Sequence, residues 1–102
     1  MLSLVVPVYS NEGSLPDLLK AVAQLASDID APFETVFVVD GSPDRCYELL
    51  AAQLPSCAFS SQLVLLSRNF GSFAAIRAGM EAARGETFAV MAADLQDRKS
   101  VV

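Results

Sequence analysis

Phe88-Ala89-Val90-Met91-Ala92-Ala93-Asp94-Leu95-Gln96-Asp97 is the stretch on which the reading of this chain turns. An uninterrupted apolar run that meets Asp, Gln and Asp at once is expected to be a buried parallel strand whose C-terminal end carries oxygen-bearing side chains into a cleft. Open α/β sheets bind ligands at that end. Asp94 and Gln96 flank Leu95, so on an extended backbone they share one side while Leu95 turns toward the core. A carboxylate and an amide oxygen on one side suit a hard divalent cation that keeps some waters and shares phosphate oxygens with a substrate. The plain alternative is a strand end finished by solvated acids, and this stretch alone leaves both open.

Working outward, strand and helix alternate. Leu2–Val8 is β-branched and apolar and reads as the first strand. Ser14 as N-cap, Pro16 in the first turn and Asp17 at the third position predict a helix to about Ala26, with Leu15, Leu18, Leu19, Val22 and Leu25 as its buried stripe. Phe33–Val39 is the second strand and Asp40–Asp44 its tight loop; Ser42 and Pro43 are the expected start of a helix through about Leu54. Gln62–Leu66 is a third strand, followed by the loop Ser67–Gly71 and a helix from Ser72 to Arg84 that Gly85 is expected to end as a left-handed cap. Phe73, Ile76 and Met80 read as the core face of that helix. Glu86–Ala93 is the fourth strand. The fold class is therefore α/β, a Rossmann-like parallel sheet with flanking helices and right-handed crossovers. In such a sheet every loop that follows a strand lies at one edge, so Glu12, Asp40, Arg68, Asp94 and Gln96 should converge on one cleft.

Composition narrows the function. The chain has 102 residues, 53% of them hydrophobic, which suits one small domain with strands buried on both faces. Seven basic against twelve acidic residues give a net charge of −5, and no basic run occurs, so nucleic acid is not expected as a partner. With no histidine and with Cys46 and Cys57 outside any CxxC pattern, a zinc site or a Cys-His pair is excluded. Both read as ordinary thiols of a reducing compartment. No stretch reaches the roughly 20 apolar residues of a spanning helix, and the N-terminus lacks a basic leader.

Asp40-Gly41-Ser42 could offer amides to an anion, or Asp40 could accept hydrogen bonds from a base or ribose; it could equally be a plain turn. Arg68 follows a strand with no acid near it in sequence, and either meets a phosphate or base or lies on the surface. Tyr9 and Phe70 could stack on a planar ligand or cover the core edge. The loop after the first strand, Tyr9-Ser10-Asn11-Glu12-Gly13, contains no GxGxxG, which excludes a dinucleotide fingerprint, and no P-loop occurs.

Taken in order, Val5-Val6-Pro7-Val8-Tyr9-Ser10-Asn11-Glu12, Phe37-Val38-Val39-Asp40-Gly41-Ser42-Pro43-Asp44, Leu66-Ser67-Arg68-Asn69-Phe70-Gly71 and Ala93-Asp94-Leu95-Gln96-Asp97 resemble the motifs of family 2 glycosyltransferases, nearest to the polyprenyl-phosphate type. The resemblance covers residues 2 to 97. It implies the nucleotide-binding half of a GT-A fold and inverting transfer of a sugar from a UDP- or GDP-linked donor to an acceptor such as a polyprenyl phosphate. By position it places Pro7, Tyr9, Glu12, Asp40 and Arg68 around the nucleotide-sugar, with Asp40 the expected partner of the base. Asp94 and Gln96 become the catalytic, metal-holding pair, for Mg²⁺ or Mn²⁺. Two departures each remove an acid: Ala92-Ala93-Asp94 stands where the family often has Asp-x-Asp, and Val39-Asp40-Gly41-Ser42 where it often has Asp-Asp-Gly-Ser.

The third departure is the tail. Asp97-Arg98-Lys99-Ser100-Val101-Val102 is what one frame of a common sequencing-library adapter encodes, so residues 1–96 are expected to be an incomplete glycosyltransferase domain and 97–102 a non-native end. An acceptor-binding half, and any membrane association, would belong to a longer parent, in the cytoplasm or on the cytoplasmic face of a membrane. The rival readings are a non-catalytic nucleotide-binding module, a nucleotidyltransferase of the same sheet type and a receiver-like signalling domain. The nucleotidyltransferase lacks its glycine- and lysine-rich first loop here. The receiver needs a pair of acids after the first strand and a lysine after a later one, where this chain has Asn11-Glu12 and, outside the tail, only Lys20.

Overall fold

The computed structural model describes residues 1–9, 12–29, 31–41 and 45–91. In chain order the elements are β1 (Leu2–Val8), α1 (Leu15–Asp28), β2 (Phe33–Asp40), α2 (Cys46–Gln53), β3 (Ser60–Leu66), α3 (Ser72–Ala82) and β4 (Thr87–Val90). The sheet order is β3-β2-β1-β4 and every pair is parallel, with Val5 opposite Val36 on one side and Val90 on the other. The expected α/β class is therefore what the chain adopts.

The central strands carry uninterrupted apolar runs, Leu4–Val8 in β1 and Val36–Val39 in β2, because both faces are covered. Leu4, Val6, Val8, Phe37 and Val39 face α1 and α2, where they meet Leu15, Leu18, Leu19, Val22 and Leu50. Val5, Val36 and Val38 face α3. Each fully buried side chain of this kind contributes about 1.5–3 kcal/mol, so this pair of strands carries much of the stability. Cys46 and Cys57 are not joined in a disulfide, and among the described residues no helix is long and apolar enough to cross a membrane.

The structure corrects three local expectations, and a fourth falls outside the described residues. Ser14 caps nothing: it is the last residue of a 3-10 turn, Glu12–Ser14, and makes no side-chain bond to α1. Helix α2 begins at Cys46 with Arg45 at its cap position; the expected start at Ser42 and Pro43 lies outside the described residues. Gly85 is not a left-handed cap, since α3 ends in extended backbone at Ala83. Glycine is needed at 85 for room, because a Cβ there would run into the Met1 carbonyl and Ser3 Oγ. β4, expected to be buried, is an edge strand with Phe88 40% and Val90 51% exposed, because α3 packs over β1, β2 and β3 and leaves β4 uncovered on that face.

The core face of α3 also differs. Phe73 is 89% exposed and Met80 41%, whereas Ala75 is buried and Ala78 and Ala82 pack beside it. Bulky residues set the predicted stripe, but the helix approaches the sheet through Ala75, Ala78, Gly79 and Ala82, themselves at helical spacing. A Cβ on Gly79 would stand 2.5 Å from Val5 Cγ1 and 3.0 Å from Val38 Cγ2, both on buried strands that cannot yield cheaply. Gly79→Ala should therefore cost about 0–2 kcal/mol, an overpacking term of about 1–3 kcal/mol less about 1 kcal/mol of helix propensity. Phe73→Ser should stay within about 0.5 kcal/mol. Urea midpoints measure both, and a stabilised Gly79→Ala would mean that α3 rides higher on the sheet.

At the N-terminal edge a buried carboxylate joins β1, β2, β3 and the end of α3. Glu34, 3% exposed, accepts from Ser3 Oγ (2.6 Å), Arg84 N (2.6 Å) and Gln62 Nε2 (3.1 Å). Ser3 Oγ in turn accepts from Gly85 N at 2.9 Å, and Gln62 Nε2 donates to the Ala82 carbonyl at 2.9 Å. Burial pushes the Glu34 carboxyl up, but the hydrogen bonds from Ser3, the Arg84 amide, Gln62 and the Gly85 amide outweigh it and hold the carboxyl below its usual range.

Candidate functional site

All four strands leave the sheet at one edge, as parallel pairing requires. β1 runs out into Tyr9, β2 ends at Asp40 before Gly41, β3 leads into Ser67 and Arg68, and β4 leads into Met91, whose amide donates to the Val5 carbonyl at 3.1 Å. From β1 to β2 to β3 the chain steps one way across the sheet; β4 returns to the far side of β1. The β1/β4 boundary is thus the point of reversal, where the crossover helices part to opposite faces and open a crevice. Adjacent strands lie about 4.8 Å apart, so the exits of β1, β2 and β3 span about 10 Å, the scale of a base with its ribose.

Of the residues predicted for the site, Pro7 is the penultimate residue of β1, opposite Val38, and Tyr9 is 46% exposed just beyond the strand. Glu12 opens the 3-10 turn that leads into α1. Arg68 is exposed, with its guanidinium carbon 5.0 Å from the centroid of the Phe70 ring, a cation–π contact. Phe70 is itself 49% exposed, so this edge presents a cation and aromatic surface to solvent. Asp94 and Gln96 lie outside the described residues, as does the expected tail at 97–102.

Asp40 differs from its neighbours in being 3% exposed. Its Oδ1 accepts from the Phe70 amide at 2.9 Å, its Oδ2 from the Gly71 amide at 3.1 Å, and its carbonyl from Asn69 Nδ2 at 3.2 Å. The carboxylate sits before the first turn of α3, where the helix dipole favours negative charge. Asn69 and Gly71 were not singled out from the sequence, although a glycine directly before a helix, here at φ +98°, was a legible sign of a loop with a fixed shape. Val39, which stands where the resembling motif often has an acid, is 1% exposed in the core. Among the described residues no group of three or more His, Cys, Asp or Glu side chains is placed to hold a metal ion.

Comparison with known proteins fits this geometry. The chain is 44% identical over 99 residues to an undecaprenyl-phosphate 4-deoxy-4-formamido-L-arabinose transferase of Pseudomonas paraeruginosa, covering 95% of this chain and 29% of that protein. It is 38% identical over 97 residues to a transferase of the same name from Aeromonas hydrophila, covering 95% and 30%. The chain therefore spans less than a third of the length of these relatives. Among solved structures, Staphylococcus aureus TarS superposes with a TM-score of 0.77 at 24% identity, over 91% of this chain and 27% of that one. TarS in complex with UDP-GlcNAc gives 0.73 at 23%, over 91% and 26%. That likeness shows the fold, the parallel sheet with flanking helices of a GT-A glycosyltransferase. The family model for Glycosyl transferase family 2 matches residues 3–102, and because that match runs over almost the whole chain, the protein belongs to this family.

Proposed function

We propose that this chain is the donor-binding part of an enzyme that transfers a sugar, with inversion, from a UDP- or GDP-linked donor to a polyprenyl phosphate. The observation that carries the reading is the arrival of Tyr9, Asp40 and Arg68 on one edge beside the point where the sheet order reverses. Support comes from relatives named as undecaprenyl-phosphate sugar transferases and from a fold shared with a protein solved with UDP. Pro7, Tyr9, Glu12, Asp40 and Arg68 border the nucleoside in this reading. Arg68 offers a fork of donors to the base or a phosphate, and Tyr9 a face for stacking.

Asp94 and Gln96 would hold Mg²⁺ or Mn²⁺; one carboxylate and one amide oxygen fit a hard cation whose other ligands are waters and donor phosphates. Such an ion supplies charge neutralisation for the departing nucleoside diphosphate. A lipid phosphate acceptor is already anionic, so the reaction does not require a strong general base from this chain. The acceptor site and any contact with a membrane are assigned to a longer protein.

Calorimetry of the 102-residue chain with UDP and GDP tests the reading. Binding is expected to be weak, with Kd on the order of 1 mM, and to require Mg²⁺ or Mn²⁺. Arg68→Ala should weaken it about tenfold, the loss of a charge-assisted hydrogen bond. Tight binding without metal would contradict the role given to the ion, and no binding under any condition would contradict the donor site.

A further inference from the structure

Little in the sequence of β4 itself decides where it sits along β1. A parallel strand reached through a crossover helix has no tight turn to fix its register, and burial of one face is then the usual guide. Here Thr87, Phe88 and Val90 are exposed, and Ala89 alone of the strand packs on the core. The ladder does not choose either. The Met1 carbonyl accepts from the Glu86 amide at 3.1 Å and the Val5 carbonyl from the Met91 amide at 3.1 Å, and backbone groups one repeat along the strand offer the same bonds.

The side chains that meet the turn before β4 do distinguish one register from the next. Ser3 and Glu34 stand opposite each other on β1 and β2. Glu34 Oε2 accepts the Arg84 amide at 2.6 Å and Ser3 Oγ accepts the Gly85 amide at 2.9 Å, while Ser3 Oγ donates to the same Oε2. Glu34 Oε1 accepts from Gln62 of β3, whose Nε2 also donates to the carbonyl of Ala82, the last residue of α3. Gly85 lies against the Met1 carbonyl and Ser3 Oγ with no room for a Cβ. Sliding the strand by one or two residues would bring Ala83, Arg84, Glu86 or Thr87 to that place, each with a side chain.

We propose that Glu34 is a positioning residue: by holding the Arg84–Gly85 turn it pins β4 to β1 in a single register, and so fixes where β4 delivers the chain to the C-terminal edge of the sheet. A slip of two residues would move Met91 about 7 Å along β1. Asp94 and Gln96 follow Met91 by three and five positions in the sequence. On the donor-site reading, on which this last step rests, a pin at one edge of the sheet governs the metal-holding pair assigned to the other.

Glu34→Gln keeps the shape but removes the charge and turns an N–H₂ group toward the donors. Hydrogen exchange in the 102-residue chain is the test. The Arg84 and Gly85 amides and, beyond the far end of the strand, the Met91 amide should exchange about tenfold faster together, while the Val6 and Phe37 amides keep their protection. Overhauser contacts between the register partners Val5 and Val90 should weaken in step. Acceleration confined to Arg84 and Gly85 would overturn the pin and leave Glu34 a local partner of the turn. Equal acceleration throughout the sheet would overturn it as well, since a loss of stability alone explains that result. Should Glu34→Gln fail to fold, Ser3→Ala removes only the hydroxyl that takes the Gly85 amide, and Met91 must again follow Gly85. UDP with Mg²⁺ then reads the link to the site: at about ten times its Kd it should slow Met91 exchange in the variant again by about tenfold, because only the native register binds. Met91 exchange that stays fast with UDP bound would overturn that link. Wild-type chain that binds no UDP overturns the donor-site reading, while exchange without nucleotide still decides the pin.

Discussion

Gly41→Ala is expected to destabilise the protein by about 2–5 kcal/mol, the sum of about 1–2 kcal/mol for a non-glycine residue in the left-handed region and about 1–3 kcal/mol for forcing a methyl group into packed neighbours. The neighbours are backbone atoms of Arg68 and Asn69, which cannot swing aside as a side chain could. Relief requires the β3–α3 loop to move away from β2, and that breaks the bonds to the Asp40 carboxylate. For a domain of this size the melting temperature should drop by roughly 10 °C or more. Gly71 provides the control: at φ +98° it shares the backbone strain, but a Cβ there meets nothing within 4 Å. Gly71→Ala should therefore cost only the strain, about 1–2 kcal/mol. Thermal melts followed by circular dichroism distinguish the two, and equal losses would mean that the Gly41 contact is not close.

Glu34→Ala carries the other large effect. It strands the Ser3 hydroxyl, the Arg84 amide and one donor of Gln62 in a site that is 3% exposed, with an expected loss of about 2–4 kcal/mol. The same group makes stability depend on pH. Because its folded pKa is lowered, the stabilisation is complete above the unfolded value of about 4.3 and disappears as pH falls through the folded value beneath it. In denaturant titrations the gap between wild type and Glu34→Gln should be widest near pH 6 and should close on acidification below about pH 4. A gap that widened in acid would reverse the sign of the shift and contradict the hydrogen-bonded carboxylate.

Strand-level organisation was legible because its signal is local. Leu4–Val8 and Val36–Val39 are apolar without interruption, and only strands covered on both faces need to be so. The stripe on α1 was equally plain, since Leu15, Leu18, Leu19 and Val22 are large and buried against the sheet. Long-range closeness was not legible. Gly79 and Gly85 are glycines because Val5, Val38, Met1 and Ser3 come near from distant parts of the chain. The exposure of Phe73 follows from the same cause, since small residues let α3 settle so close to the sheet that its bulky side chains can only point away. At the site, the sequence pointed to Asp40 and Arg68 and to the edge they share. It did not show that Asp40 is turned onto the amides of Phe70 and Gly71, a bond between residues some 30 positions apart. The metal-holding part of the reading, Asp94 and Gln96, still stands on donor chemistry and family resemblance.

The most direct measurement is a two-dimensional ¹H–¹⁵N spectrum of the 102-residue chain titrated with UDP and Mg²⁺. Amides of Tyr9, Gly41 and the Arg68–Gly71 loop should shift together along one saturating curve, while those of the Glu34 network at the opposite edge stay in place. Shifts confined to α1 and α2, or spread evenly over the sheet without saturation, would contradict a nucleotide site at the C-terminal edge.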